Sequence, residues 1–321
     1  MKFLRRRDLL LGGAAAITGS QINFHNNKSI ANQPTEPLIA VISAYSPETA
    51  ALEKALLGNR KPYSITTHNG ITFKQFQFKG RNLLLFTSGI SVVNAAMSTQ
   101  LALCKFPISH VLFAGVAGGV NPDYGIGDVV IPERWYYHDE SVYANEVSPG
   151  KYLLPSYYKQ KAENYNFIFP DYVSVIREGI REPEEKPFFE ADPQLIEVAK
   201  QVINKAPKLL TCDARLVQAR NRACQIYVGG NAISGSVFLD NRAYREWAFR
   251  VWQASCVDME STAIAQVCWA NQKPFLIIRS LSDLAGGQDG ANPIDNTEDQ
   301  VAESAAKVLR EIIQVLPQFS T

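Results

Sequence analysis

Carboxylates stand at several places in this chain where a buried core would want bulk. VDMES, residues 257–261, sets Asp258 and Glu260 either side of Met259 as one apolar run hands over to another, TAIAQVCWA. SAYSPETA carries Glu48, and PFLIIRSLSDLAGG carries Arg279, Ser282 and Asp283. Each has a bland explanation. Glu48, Asp258 and Glu260 favour the positive end of a helix dipole, and Asp283 before Leu284-Ala285-Gly286 suits a turn. Together they describe a site in which one carboxyl gives a proton and another takes one. An acid working near neutral pH would need burial or a neighbouring negative charge.

The elements that must position these groups read as short buried strands alternating with amphipathic helices. Strands are expected at LIAVISA (38–44), NLLLFTS (82–88), SHVLFAGVAG (109–118), DVVIP (128–132), QIYVGG (225–230) and PFLIIRSLS (274–282). Helical periodicity follows in PETAALEKALLG, VVNAAMSTQLALC, DPQLIEVAKQVINK, MESTAIAQVCWANQ and EDQVAESAAKVLREIIQVL. The alternation predicts an α/β fold, a single domain with a central, mostly parallel, twisted mixed sheet flanked by helices. Ligands of such sheets bind at the carboxyl ends of the strands. Every candidate carboxylate falls at such an end, as do Ser88 and Gly89 in TSGISVVNAA and the glycines of FAGVAGGVNPDYGIGDVVIP. Residues 140–192 break the rhythm with an aromatic, Pro-punctuated and charged insertion, expected to pack on the sheet edge or on a second subunit.

The 321 residues are 46% hydrophobic with a formal net charge of +1. A sizeable core follows; a basic face for nucleic acid does not. No apolar run reaches the length of a membrane span, so no stable membrane insertion is expected. Residues 1–36 read as an export signal and polar linker before a domain at 37–321. Arg6 and Arg7, followed by Asp8-Leu9-Leu10 and a short Gly/Ala-rich apolar stretch, resemble a twin-arginine signal, so a periplasmic location is expected. The five cysteines have no metal-ligand spacing, and neither metal nor cofactor is expected. Cys212 and Cys224 are close enough to bridge a loop in an oxidising compartment. Cys104 and Cys268 read as core thiols.

In their order, SAYSPETA, TSGISVVNAA, FAGVAGG, GIGDVVIP, VDMESTAIA and PFLIIRSLSDLAGG resemble the nucleoside phosphorylase superfamily. Among its catalytic members the 5′-methylthioadenosine/S-adenosylhomocysteine nucleosidases are most similar, and the insertion and SLSDLAGG also resemble plant vegetative and bark storage proteins. The nucleosidase resemblance implies an N-ribosyl hydrolase acting on a purine nucleoside or thionucleoside, assembled as a homodimer or larger homo-oligomer. It makes Glu48 the base that activates water and Asp283, supported by Ser282, the acid at purine N7. Glu260 beside Met259 would hold the ribose hydroxyls, with Arg279 organising the acids and Asp258 capping the helix. Ser88, Gly89, Ala117 and Gly118 would line the site, and Ala232 and Ile233 in GGNAISGS would contact the base.

The chain departs from the family pattern in places. Phe113 and Val116 stand where phosphorolytic members carry an Arg and a Ser, so water is the expected nucleophile. Val116 also replaces a serine of many nucleosidases. GGNAISGS reads as lacking the base-stacking aromatic, for which Tyr136 and Tyr137 are candidates. The alternative reading is a non-catalytic nucleoside-binding or storage-type protein on the same fold, and a lesser one is a phosphorylase.

Overall fold

The computed structural model describes residues 37–206, 209–210, 212, 214 and 221–316. The expected signal and linker, residues 1–36, lie outside the described residues. A 12-stranded sheet organises the rest. Its strands are β1 (Leu38–Ser43), β2 (Ser64–His68), β3 (Ile71–Phe78), β4 (Arg81–Thr87), β5 (Ile108–Gly119), β6 (Val129–Ile131), β7 (Arg134–Tyr137), β8 (Phe189–Glu190), β9 (Ile226–Val228), β10 (Asn231–Ser234), β11 (Ala254–Asp258) and β12 (Phe275–Asp283). The helices used below are α1 (Ser46–Leu52), α2 (Val92–Lys105), α3 (Pro193–Lys205), α4 (Arg242–Trp252), α5 (Ser261–Ala270) and α6 (Ile294–Val315).

Along the main path the strand order is β8-β7-β10-β11-β5-β1-β4-β3-β2, with β12 pairing to both β5 and β6. The central neighbours β4, β1, β5 and β12 run parallel. Every residue of β1 and β12 is buried, as a strand covered on both faces requires. One covering layer is α6, whose stripe Val301, Ala305, Val308 and Ile312 is buried at helical spacing. β5 outlasts β1: it pairs with β1 as far as Phe113, and its last two residues pair antiparallel with β11. A crevice opens where β5 changes partners, at the carboxyl ends of β1 and β12.

The predicted strands and helices occupy their expected places. Not foreseen were the β2–β3 hairpin, α4, and the strands β7 and β10. The hairpin turns on Asn69 and Gly70, both at positive φ (49° and 80°), which suits a tight two-residue turn. The insertion folds as three two-stranded ribbons and ends in β8 on the sheet edge. Its Tyr165 packs on Tyr244 and Trp247 of α4, and Trp247 Nε1 donates to the Glu163 carbonyl at 3.1 Å. The insertion is therefore a buttress for α4.

Cys212 and Cys224 are joined in a disulfide. Two residues before Cys224, Arg222 grips the buried Asp128 with two hydrogen bonds of 3.0 and 2.6 Å. Cys268 is buried as expected, but Cys104 is exposed. The buried stripe of α2 runs through Ala95, Ser98, Thr99 and Ala102, and Cys104 lies about 200° around the helix from Ala102. Among the described residues no helix is long and apolar enough to cross a membrane.

Candidate active site

Arg279 lies in the middle of the fully buried β12 and is itself 0% exposed. A guanidinium there needs counter-charge, and three elements supply it. Asp258 at the end of β11 meets its Nε at 2.7 Å, Glu48 in α1 meets Nη1 at 3.4 Å, and Glu260 before α5 meets Nη2 at 3.5 Å. The guanidinium also lies over the Phe113 ring, 3.8 Å from its centroid. Burial alone would lower the arginine's pKa; the carboxylates Asp258, Glu48 and Glu260 outweigh it and raise it.

Gly115 makes this convergence sterically feasible. It is the register partner of Arg279 on β5, and a Cβ there would lie 2.0 Å from Glu48 Oε1 and 2.2 Å from Arg279 Nη1. At Gly115 the space a side chain would take is filled by the protein's own charged groups, Glu48 and Arg279. Gly115→Ala is expected to cost about 1–3 kcal/mol through overpacking and to lower the melting temperature by several degrees. An unchanged thermal melt would show that the cluster gives way at no cost.

The carboxylates are held differently. Asp258 accepts the backbone N–H groups of Glu260 and Ser261 at 3.1 and 3.0 Å, so it caps α5 as well as clamping Arg279. Glu48 accepts two main-chain N–H groups, Ala44 at 2.6 Å and Val116 at 2.8 Å. Burial nevertheless raises its pKa, opposed first by Arg279 and then by those N–H groups. Glu260 accepts the Ser91 N–H at 2.8 Å and is pushed up to about 7, first by burial and then by Asp258. Ser91 donates from a left-handed backbone, φ 87°, a conformation that costs a non-glycine about 1–3 kcal/mol.

Asp283 ends β12 behind a register shift after Leu281. Strand neighbours normally face opposite ways; the irregularity lets both Ser282 and Asp283 reach the crevice. The Asp283 carboxyl accepts the Ala285 N–H and the Ser282 hydroxyl, each at 2.8 Å, and burial raises its pKa.

Around the crevice lies a cavity, and its walls sort the sequence candidates. Glu48, Ala117, Gly118, Met259, Glu260, Ser282 and Asp283 line it. Arg279 acts from behind the wall through the three carboxylates. Ser88 and Gly89 belong to a neighbouring surface cleft; the strand-to-helix turn they begin brings Ile90 to the cavity wall and the Ser91 N–H to Glu260. Ala232 and Ile233 are fully buried within β10 and are not on the cavity wall. The chain reaches the cavity five to seven residues later, at Val237, Phe238 and Leu239. Phe238, 55% exposed, puts an aromatic side chain on the cavity wall. The signal lay in the next few residues, where VFL follows a turn-forming Gly-Ser. Tyr136 packs on Phe188, and Tyr137 donates to Gln266, outside the cavity wall. Two further wall groups, Tyr45 and Glu298, carried no sequence signal.

The cavity therefore offers carboxylates on several sides, one apolar aromatic wall and no lining Lys or Arg among the described residues. It suits a ligand with a planar ring and hydroxyls, and a reaction that develops positive charge.

Residues 38–314 match the family model described as the Phosphorylase superfamily. A 5′-methylthioadenosine/S-adenosylhomocysteine nucleosidase of Geobacillus kaustophilus is 31% identical over 279 residues, covering 85% of this chain and 94% of that protein. Its counterpart in Tolumonas auensis is 28% identical over 278 residues, covering 86% and 99%. Among solved structures, a futalosine hydrolase of Helicobacter pylori superposes with a TM-score of 0.65 at 21% identity, covering 87% of this chain and 98% of that one. At that identity the likeness bears on the fold alone.

Proposed function

The chain belongs to the phosphorylase superfamily, and on that premise we propose that it is an N-ribosyl hydrolase. Its substrate is a purine nucleoside or 5′-thionucleoside, split into free base and sugar, the activity named for the relatives in Geobacillus and Tolumonas. The observation that carries the hydrolytic reading is the charge of the cavity wall: Glu48, Asp258, Glu260, Asp283 and Glu298 line it, and Arg279 is spent on three of them. A phosphate dianion would meet repulsion there, whereas water would not.

The chemistry follows from the placement. The bond from C1′ to the purine lengthens, and positive charge grows on the ribose, where the surplus of carboxylate charge stabilises it. Asp283 gives its proton to the departing purine at N7, so that no anion is expelled. Glu48 takes a proton from water as the water oxygen bonds to C1′. Glu260 accepts hydrogen bonds from the ribose hydroxyls, and Phe238 covers the face of the base.

Incubation of purified protein with methylthioadenosine, adenosine and inosine is expected to release free base at the same rate with and without phosphate. Strict dependence on phosphate, with a sugar 1-phosphate as product, would favour the phosphorylase. Binding without release from any of the three would favour the non-catalytic alternative.

Export to an oxidising compartment is part of the reading, supported by Arg6-Arg7 in the first residues and by the Cys212–Cys224 disulfide. So is self-assembly. Ile90, Val93 and Met97 expose apolar surface at 49, 62 and 64% beside the cavity, a patch suited to a second copy.

A further inference from the structure

The wall formed by Tyr45, Ile294 and Glu298 has no step of its own in the chemistry above, where Glu298 only adds to the charge of the wall. Tyr45 follows the end of β1, three residues before Glu48. Its hydroxyl donates to Glu298 Oε2 at 2.8 Å, joining that loop to the first turns of α6. The adjacent Thr297 fixes α6 to β12, its hydroxyl donating to the Ser282 carbonyl at 2.7 Å. Glu298 therefore sits beside the segment that carries Asp283. A carboxylate accepts several hydrogen bonds, so with Tyr45 on one oxygen Glu298 retains capacity for a donor in the cavity.

The stereochemistry of a nucleoside says which donor that is. In a β-nucleoside the base and the 5′ carbon leave the same face of the ribose, and the attacking water approaches the opposite face. Asp283 and Phe238 mark the base, Glu260 the 2′ and 3′ hydroxyls, and Glu48 the water. The wall left for the 5′ carbon is the one on the Asp283 side, where Tyr45, Ile294 and Glu298 stand.

We propose that Glu298, held by Tyr45, makes this site select purine nucleosides with a hydrogen-bond donor on the 5′ carbon, a hydroxyl or an amine, over 5′-thioethers. The proposal rests on the nucleoside reading of the cavity. A 5′-hydroxyl satisfies the Glu298 carboxylate. A methylthio group has no proton to donate, and it strips water from a carboxylate it cannot compensate. Sites built around such a polar group reject analogues that lack the donor more strongly than apolar pockets reject an added hydroxyl.

The test is the ratio of kcat/KM for adenosine to kcat/KM for 5′-methylthioadenosine, measured on the unaltered protein, Glu298→Leu, Glu298→Gln and Tyr45→Phe. Adenosine is expected to be preferred by the unaltered protein. Glu298→Leu is expected to move the ratio toward methylthioadenosine by roughly 10- to 100-fold, the effect of one hydrogen bond to a charged group. The isosteric Glu298→Gln and Tyr45→Phe should move it less, in the same direction. A purely structural tie between β1 and α6 would lower both values together and leave the ratio unchanged, which would overturn the proposal. So would a preference of the unaltered protein for methylthioadenosine. If no variant, nor the unaltered protein, releases base, the hydrolase reading falls. The ratio of the two dissociation constants by calorimetry then decides the role of Glu298 by the same criteria.

Discussion

Asp283→Asn is expected to lower kcat for base release by about 10²- to 10⁴-fold, the usual worth of a positioned general acid. The substitution keeps the shape and the acceptor for the Ala285 N–H, now at 2.8 Å from Oδ1, so the fold and substrate binding should persist. What goes is the transferable proton. In the unaltered protein burial raises the Asp283 pKa, so kcat/KM should fall at high pH as the acid ionises. The variant should lose that falling limb along with its rate. The rising limb should remain near pH 7, because Glu260, held up at about 7, must ionise to accept the ribose hydroxyls. Single-turnover kinetics and a pH profile on both proteins check this. An unchanged rate would remove Asp283 from the acid role.

The second large effect concerns stability. Arg279→Met removes the guanidinium that Asp258, Glu48 and Glu260 share, and stranding buried charge in this way costs about 3–5 kcal/mol. The deficit should depend on pH, with a definite sign. A carboxyl whose folded pKa lies above its unfolded value gives stability that is fully present below the unfolded pKa and lost as pH rises through the folded one. Glu260 already behaves so, with its folded pKa at about 7, and burial moves Glu48 the same way. Without Arg279 both should rise further, because the guanidinium is what opposes the shift. The variant should therefore melt far below the unaltered protein at pH 8 and recover much of the difference at pH 5. Equal deficits at the two pH values would show that the cluster takes up no proton.

Much of this site could be read before folding because its residues sit in sequence contexts that name their own position. Glu48 and Asp283 each lie at the end of a run, LIAVIS or FLIIRSLS, that is too apolar to be anything but a buried strand, so a carboxylate there must face a crevice. What escaped reading depends on offsets that strand periodicity does not encode. Ala232 and Ile233 were expected at the base because GGNAISGS lies where the resembled family positions it, yet they are buried core residues of β10, and the chain meets the cavity only from Val237 onward. The aromatic insertion was expected on the sheet edge or a second subunit, but that Tyr165 packs on α4 could not be read from its composition. Tyr45 and Glu298 are 253 residues apart, and only the docking of α6 on β12 brings them together. Asp258 and Glu260 looked alike in VDMES; their partners separate them, one capping α5 and meeting Arg279 at 2.7 Å, the other accepting the Ser91 N–H.

Position 116 ends with a different standing from the one its sequence suggested. Valine in place of serine there looked like damage to the machinery around water. The contact that matters is made by the Val116 main chain, whose N–H holds Glu48 at 2.8 Å whatever the side chain is. Val116 also lines the cavity, its side chain packed against the hydrophobic core. Aim of the base and shape of the pocket are thus carried by separate atoms of one residue. Substitution at 116 can reshape what the pocket accepts while the base stays where it is, which makes this position a natural place for substrate preference to drift within an otherwise fixed reaction centre.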